Sequence, residues 1–131
     1  MTASNESINA ELAKIAADLA IDHRMQRHVF LCCDQTEPEC CQKEAGLASW
    51  DYLKKRLNQT GLAGAGGVQR SKVNCLRICA HGPIMLIYPD GTWYHSATPD
   101  VIERIIQEHL IGGKVVEEYL FTRQPLAASA Q

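Results

Sequence analysis

Ile84-Met-Leu-Ile-Tyr88, then Pro89-Asp-Gly91, then Thr92-Trp-Tyr-His95 is the stretch on which the fold turns. An apolar run, a tight-turn tripeptide and a second short run of β-formers predict two antiparallel strands joined as a hairpin. Just downstream, Thr98-Pro-Asp100 is a helix start: Thr at the N-cap, Pro at the first helical position, an acid in the first turn. Val101, Ile102, Ile105, Ile106 and Leu110 give that helix an apolar face, and Gly112-Gly113 ends it. Val115 to Phe121 is expected to be a last extended segment, with residues 122–131 as a disordered tail.

Upstream of the hairpin, Val68 to Asn74 reads as another strand. Gly61-Leu-Ala-Gly-Ala-Gly-Gly67 before it reads as a flexible connector. It is not a phosphate loop, because it lacks the Gly-Lys-Ser/Thr ending. Residues 46–60 are expected to be helical, with Leu47, Trp50, Leu53 and Leu57 on one face. Asp34 to Glu39 is a loop broken by Pro38, and His28-Val-Phe-Leu-Cys-Cys33 is a buried strand. Strand, helix, strand, hairpin and helix in that order make an α/β pattern with a hairpin at one edge, as in a thioredoxin-like layer. Residues 28–121 would form this domain.

Residues 1–27 precede the domain as a helical extension. Ile8, Leu12, Ile15 and Leu19 recur at steps of three and four, so they share one helix face, and Ser4 or Asn5 can cap it. The stripe lacks large aromatics and a basic face, which favours packing on the domain or on a partner over lying on a membrane.

A chain of 131 residues holds one ordinary domain and can bury a core without staples. Thirteen Lys+Arg against 15 Asp+Glu lack the basic excess of a nucleic-acid binder. No apolar run approaches the ~18 residues of a membrane span. Met1-Thr-Ala-Ser-Asn-Glu6 lacks the basic and apolar regions of a secretory signal, so a cytoplasmic location is expected.

Six cysteines stand in two groups, Cys32, Cys33, Cys40 and Cys41 in one and Cys75 and Cys79 in the other. In a reducing compartment, grouped thiols bind metal or do redox chemistry more often than they form disulfides. Cys75-Leu-Arg-Ile-Cys79 is a C-x3-C pair, not C-x-x-C, so a thioredoxin-type dithiol reaction has no support. Gly82 and Pro83 shape the exit from it. Four converging thiolates can hold zinc or an iron–sulfur cluster. Zinc usually takes pairs spaced C-x2–4-C at both ends. The upstream pair here has six to eight residues between its members, depending on which of the doublets serve, and this favours a cluster. On a strand Cys32 and Cys33 point to opposite faces, so they do not easily face one centre together.

These residues resemble the thioredoxin-like [2Fe-2S] ferredoxins, the family of the Shethna-type ferredoxins and of the small iron–sulfur subunit of NADH dehydrogenase. His28-Val-Phe-Leu-Cys32 is similar to its opening strand. Asn74-Cys-Leu-Arg-Ile-Cys79, His81 to Tyr88, Pro89 to Tyr94, Thr98-Pro99 and His109 to Gly113 follow its second half block by block. The resemblance covers residues 28 to about 121 and omits the N-terminal helix.

The resemblance implies a [2Fe-2S] cluster on Cys32, Cys41, Cys75 and Cys79, with Cys40 the alternative to Cys41. The doublets depart from the family, which usually shows one cysteine at each of the first two places. Cys41 is favoured because it lies nearer Gly46 and Leu47, which resemble the start of the family's first helix. The resemblance also implies a one-electron carrier that is not an enzyme by itself, a redox partner protein, and a homodimer. Two other classes stay open: a cluster- or thiol-based redox sensor, and a zinc-stabilised thioredoxin-like interaction module. His81 and Arg77 are expected near the centre, His81 in loop structure or as a donor to it. Trp93 and Tyr94 are expected to pack the hairpin, and His23, His95 and His109 have no evident catalytic companions.

Overall fold

The computed structural model describes residues 4–33, 42–78 and 80–128. Val29, Leu31 and Cys33 alternate along β1 (Arg27–Cys32) and just past its end, and all three join the main core. Phe30 and His28 lie on the other face, stacked with ring centroids 4.3 Å apart. The period of two read from the sequence therefore holds to the end of the strand.

β2 (Val68–Val73) runs parallel to β1, with Arg27 opposite Val68 and Cys32 opposite Val73. A parallel neighbour needs a crossover, and α2 (Lys43–Gln59) supplies it. On the other side of β1 lies the antiparallel hairpin of β3 (Met85–Tyr88) and β4 (Thr92–Tyr94), and β5 (Leu120–Arg123) pairs with β4. The sheet order is β2-β1-β3-β4-β5, an α/β thioredoxin-like arrangement. At the hairpin turn Gly91 has φ +72, and a Cβ there would lie 2.2 Å from the Gln124 carbonyl oxygen, so only glycine fits.

Two helices cover the Val29 face of the sheet. α2 buries Gly46, Ser49, Leu53 and Leu57. The expected face had Leu47 and Trp50 inside; both are only half-buried, and small Gly46 and Ser49 take the inner positions instead. α3 (Pro99–Arg104) starts at Thr98 as expected, although the Thr98 side chain makes no capping bond, and it continues as a π-helical turn, Ile105–Ile111. Val101, Ile102, Ile105, Ile106 and Leu110 are all buried. Arg56 of α2 and Glu103 of α3 form an ion pair at 2.7 Å, joined by the Tyr52 hydroxyl. Hydrogen bonds from Arg56, Tyr52 and Gln107 hold the Glu103 carboxyl down at about 2.

Two expected boundaries move and two segments differ in conformation. α2 begins at Lys43, three residues before the expected start, because Lys43-Glu-Ala45 favours helix without contributing to the apolar face. The 61–67 connector is an organised turn and not a loose one: Val68 N–H donates to Leu62 O at 2.7 Å and Gln26 N–H to Gly67 O at 2.7 Å. The segment after Val115 is not extended throughout, since Glu117–Tyr119 is a 3-10 turn before β5. Thr122 and Arg123 belong to β5, and Gln124 accepts from the Tyr88 hydroxyl and Trp93 Nε1, so the ordered chain passes the expected tail boundary at 122. The expected loop from Asp34 to Glu39 lies outside the described residues.

α1 (Asn5–Asp18) has the Ser4 cap: its Oγ accepts from Ser7 N–H at 3.1 Å. It ends before the expected unit does. Ala20 takes φ 58, its N–H donates to Ala17 O, and the Ile21 N–H donates to Ala16 O. That is a Schellman stop with alanine where glycine is usual. Ala20→Gly is expected to strengthen the helix end by about 1 kcal/mol, because a Cβ in left-handed backbone is strained. Amide hydrogen exchange in the last turn of α1 should slow by about fivefold; unchanged exchange would contradict it. No residue of α1 is buried, so its stripe does not pack on the domain.

Candidate metal centre

The strand order builds the site. β2 and β3 flank β1, and the chain leaves β2 at Val73 and enters β3 at Met85. The loop between them must therefore pass over the end of β1, where Cys32 lies. This loop carries Cys75. Its two feet bracket Cys32: the Cys32 N–H donates to Ile84 O at 2.9 Å, and the next amide, Cys33 N–H, donates to Val73 O at 3.0 Å. The Cys32 thiol donates to Asn74 O at 3.8 Å. Cys32 is 1% exposed, whereas Cys75 above it is exposed.

Cys33 faces the other way. It is fully buried among Val29, Leu31 and the helix residues of the main core, a cluster to which Cys32 does not belong. The expectation that the two neighbours point apart is met. Of the expected ligands, Cys32 and Cys75 are thus brought to one corner. Cys41 and Cys79, and Cys40 with them, lie outside the described residues. Among the described residues no three His, Cys, Asp or Glu side chains form a group able to hold a metal ion.

The chemistry around Cys75 fits a thiolate. Arg77 adopts φ 70, and its backbone N–H donates to Cys75 Sγ at 3.2 Å. Hydrogen bonds to a ligating sulfur stabilise its negative charge. Arg77 thus acts on the sulfur through its amide. His81 is exposed, has φ 54, and its carbonyl accepts from Ser96 N–H at 2.8 Å, a role in loop structure as expected. Beside the loop, Ile78, His81, Ile84, His95 and Phe121 line an open depression of about 440 Å³.

A second polar cluster, at the opposite end of β1, was not foreseen. His109 is 1% exposed, its Nδ1 lies 2.8 Å from the Tyr94 hydroxyl, and its Nε2 lies 2.6 Å from Asp90 Oδ2. Tyr94 Oη also accepts from Val116 N–H at 3.1 Å, and Arg27 Nε donates to Asp90 at 3.2 Å. Each group has one role if His109 is neutral: Tyr94 donates to Nδ1, and Nε2–H donates to the carboxylate. Burial pushes His109 below the usual imidazole range against the pull of Asp90. Burial raises Asp90, but the His109 hydrogen bond and the Arg27 charge outweigh it and leave it low. The spacing did hold a signal: His109 is four residues after Ile105 and three after Ile106, on the buried face. Tyr94 is fully buried in this network, so the expected packing role holds for it.

No family model matches the chain. It is 26% identical over 102 residues to a protein of Aquifex aeolicus (strain VF5) named "Ferredoxin, 2Fe-2S", covering 74% of this chain and 90% of that protein. It is 27% identical over 96 residues to a Clostridium pasteurianum protein of the same name, covering 70% of this chain and 92% of that one. A solved structure of a thioredoxin-like [2Fe-2S] ferredoxin from Aquifex aeolicus matches with a TM-score of 0.65 at 24% identity, covering 74% of this chain and 91% of that chain. Its cysteine-to-serine variant matches with 0.66 at 23%, covering 75% of this chain and 100% of that chain. Strand order, the placing of Cys32 beneath the Cys75 loop and these likenesses agree: this chain has the thioredoxin-like fold and is similar in sequence to 2Fe-2S ferredoxins.

Proposed function

We propose that this chain holds a [2Fe-2S] cluster on Cys32, Cys41, Cys75 and Cys79, with Cys40 the alternative loop ligand, and carries single electrons. The observation that supports it most is the loop passing from β2 to β3 over Cys32, which sets a buried and an exposed thiol at one corner. Two ferredoxins to which the chain is similar carry 2Fe-2S in their names. Such a cluster supplies one reversible electron step. The chain's residues set the conditions for it. Cys32 is shielded from water, and the Arg77 amide stabilises charge on the Cys75 sulfur. Both factors tune a cluster's potential.

The donor or acceptor in this reading is a protein that approaches the exposed Cys75 side, where the depression beside Ile78 and Phe121 offers apolar contact. The chain works as a carrier and not as an enzyme by itself. We place it in the cytoplasm, where its six thiols stay reduced. Among the described residues no helix is long and apolar enough to cross a membrane. Residues 28–121, extended to Arg123, are the cluster domain, the first 27 residues stand apart as an extension, and self-association belongs to the same proposal.

Protein made with ample iron and purified without oxygen should be red-brown. It should contain iron and acid-labile sulfide in equal amounts and show an EPR signal on one-electron reduction. Stoichiometric zinc without sulfide would overturn the proposal in favour of the zinc-stabilised module. Cluster loss on oxidation with no reversible reduction would favour the sensor.

A further inference from the structure

The depression beside the Cys75 loop contains chemistry that the thiols do not use. Its volume of about 440 Å³ is within the range of small-molecule sites. Ile78, Ile84 and Phe121 give it apolar walls, and His81, His95 and Ser96 are its polar groups. Ile78 and Phe121 are 37% and 41% open to solvent, so two large apolar side chains in the lining are left uncovered. We propose that this depression binds a quinone, a neutral planar ring with a carbonyl oxygen at each end. The inference goes beyond the docking role given to the same surface above. A small ring enters the depression, a partner protein covers it, and the two exclude each other.

The lining selects the ligand class. None of its side chains carries a fixed charge, so a flavin phosphate or an organic acid would enter without a counter-ion. A quinone brings no charge to match. The Phe121 ring, edge-on to Trp93 at 6.2 Å and tilted to His95 at 6.3 Å, gives the ligand an aromatic neighbour for offset or edge stacking. The imidazoles supply the polar contact. His95 Nδ1 lies 2.8 Å from Ser96 Oγ, the ring's one hydrogen bond among the described residues. When the Ser96 hydroxyl donates to Nδ1, the proton of the neutral imidazole is on Nε2, a donor left for a carbonyl oxygen. His95 N–H donates to Tyr119 O at 3.1 Å and Ser96 N–H to His81 O at 2.8 Å, so both imidazoles ride on one hydrogen-bonded frame. Position gives the site a use. Ile78 and Ala80 both line it, and Cys79 stands between them in the chain. This use rests on the cluster reading, whereas the binding does not. One electron from each of two reduced chains, with two protons from water, converts one quinone to its hydroquinone and leaves two oxidised chains.

Isothermal titration calorimetry of the oxidised full chain with duroquinone tests it, since the four ring methyls of this probe block addition of thiols. One site per chain with a Kd below about 1 mM is expected for a ring of this size. His95→Leu should weaken binding about fivefold through the lost hydrogen bond, and Phe121→Asp at least about tenfold. FMN, with its phosphate charge, should not bind. In iron-loaded, reduced protein, subsaturating duroquinone should restore the oxidised absorption spectrum, and more slowly in His95→Leu. Absence of saturable binding, binding unchanged in both variants, or FMN bound more tightly than duroquinone would overturn the proposal. Loss in Phe121→Asp with His95→Leu unchanged would overturn the quinone assignment, because apolar contact alone would then hold the ring. Reoxidation equally fast in His95→Leu would overturn the electron role. Saturable binding to protein that takes up no cluster would uphold the site and overturn only the cluster reading. Far-UV circular dichroism of each variant checks that the domain is folded.

Discussion

Cys75→Ser and Cys32→Ser are each expected to strip or strongly alter the visible absorption and EPR signal of the iron-loaded protein. Even groups that only orient a ligand are worth ~10–100-fold in metal affinity, so loss of a direct thiolate costs at least that. Cys79→Ser should behave the same way, as no neighbour can replace it. Cys33→Ser separates site from core. Its side chain is fully buried in the main cluster. A serine hydroxyl there should cost about 1–3 kcal/mol of stability and leave the spectrum intact. Cys41→Ser should be partly rescued by Cys40, and only the double variant should lose the cluster. A wild-type spectrum from that double variant would remove the 34–41 segment from the ligand set. Loss of cluster in Cys33→Ser with Cys32→Ser unaffected would show the assignment to be one residue out.

The second large effect lies away from the thiols. His109→Ala should destabilise the fold by about 3 kcal/mol or more, because it opens a cavity, removes the acceptor of the Tyr94 hydroxyl proton and takes away the shorter of the two hydrogen bonds to Asp90. Tyr94→Phe should cost about 1–2 kcal/mol through the orphaned Val116 N–H. The pH dependence has one sign. Asp90 and His109 are both lowered in the folded protein. Each therefore adds stability that is complete above its ordinary value and lost as the pH falls through its depressed one. His109 gives a first decline below about pH 6.5 and Asp90 a second below about pH 4. The cluster spectrum should survive in folded His109→Ala, since Arg27 and Cys32 are separated by about 16 Å of strand. Urea unfolding would report it; a change under about 1 kcal/mol would contradict the account.

The hairpin at 84–95 was legible because apolar run, turn and returning run all signal locally. The start of α2 was not, since Lys43, Glu44 and Ala45 carry helix propensity but no apolar spacing. Nor could periodicity tell that Gly46 and Ser49 would face inward, because close packing of helix on sheet rewards small residues there. Cys75 and Cys32 were legible as types and spacings, and the opposite facing of Cys33 followed from strand geometry. Their juxtaposition was expected only through the resemblance, because it depends on β1 lying between β2 and β3, a long-range choice that no local window contains. His109 was overlooked as a lone titratable group; Asp90 and Arg27 come to it from 19 and 82 residues away in sequence.

The loop over the end of β1 also bears on how the thiols come together. Its feet are held about 10 Å apart by sheet hydrogen bonds to a shared central strand. Ring closure is therefore completed by the sheet, and lengthening the loop adds only a logarithmic entropy penalty. Cys32 and Cys75 stay tethered at an effective concentration of roughly millimolar or higher, whether or not anything is bound between them. Under the proposed cluster assignment, two of the four ligand thiols are thus brought together by the sheet and not by the metal, unlike those of a zinc finger, which folds only around its ion.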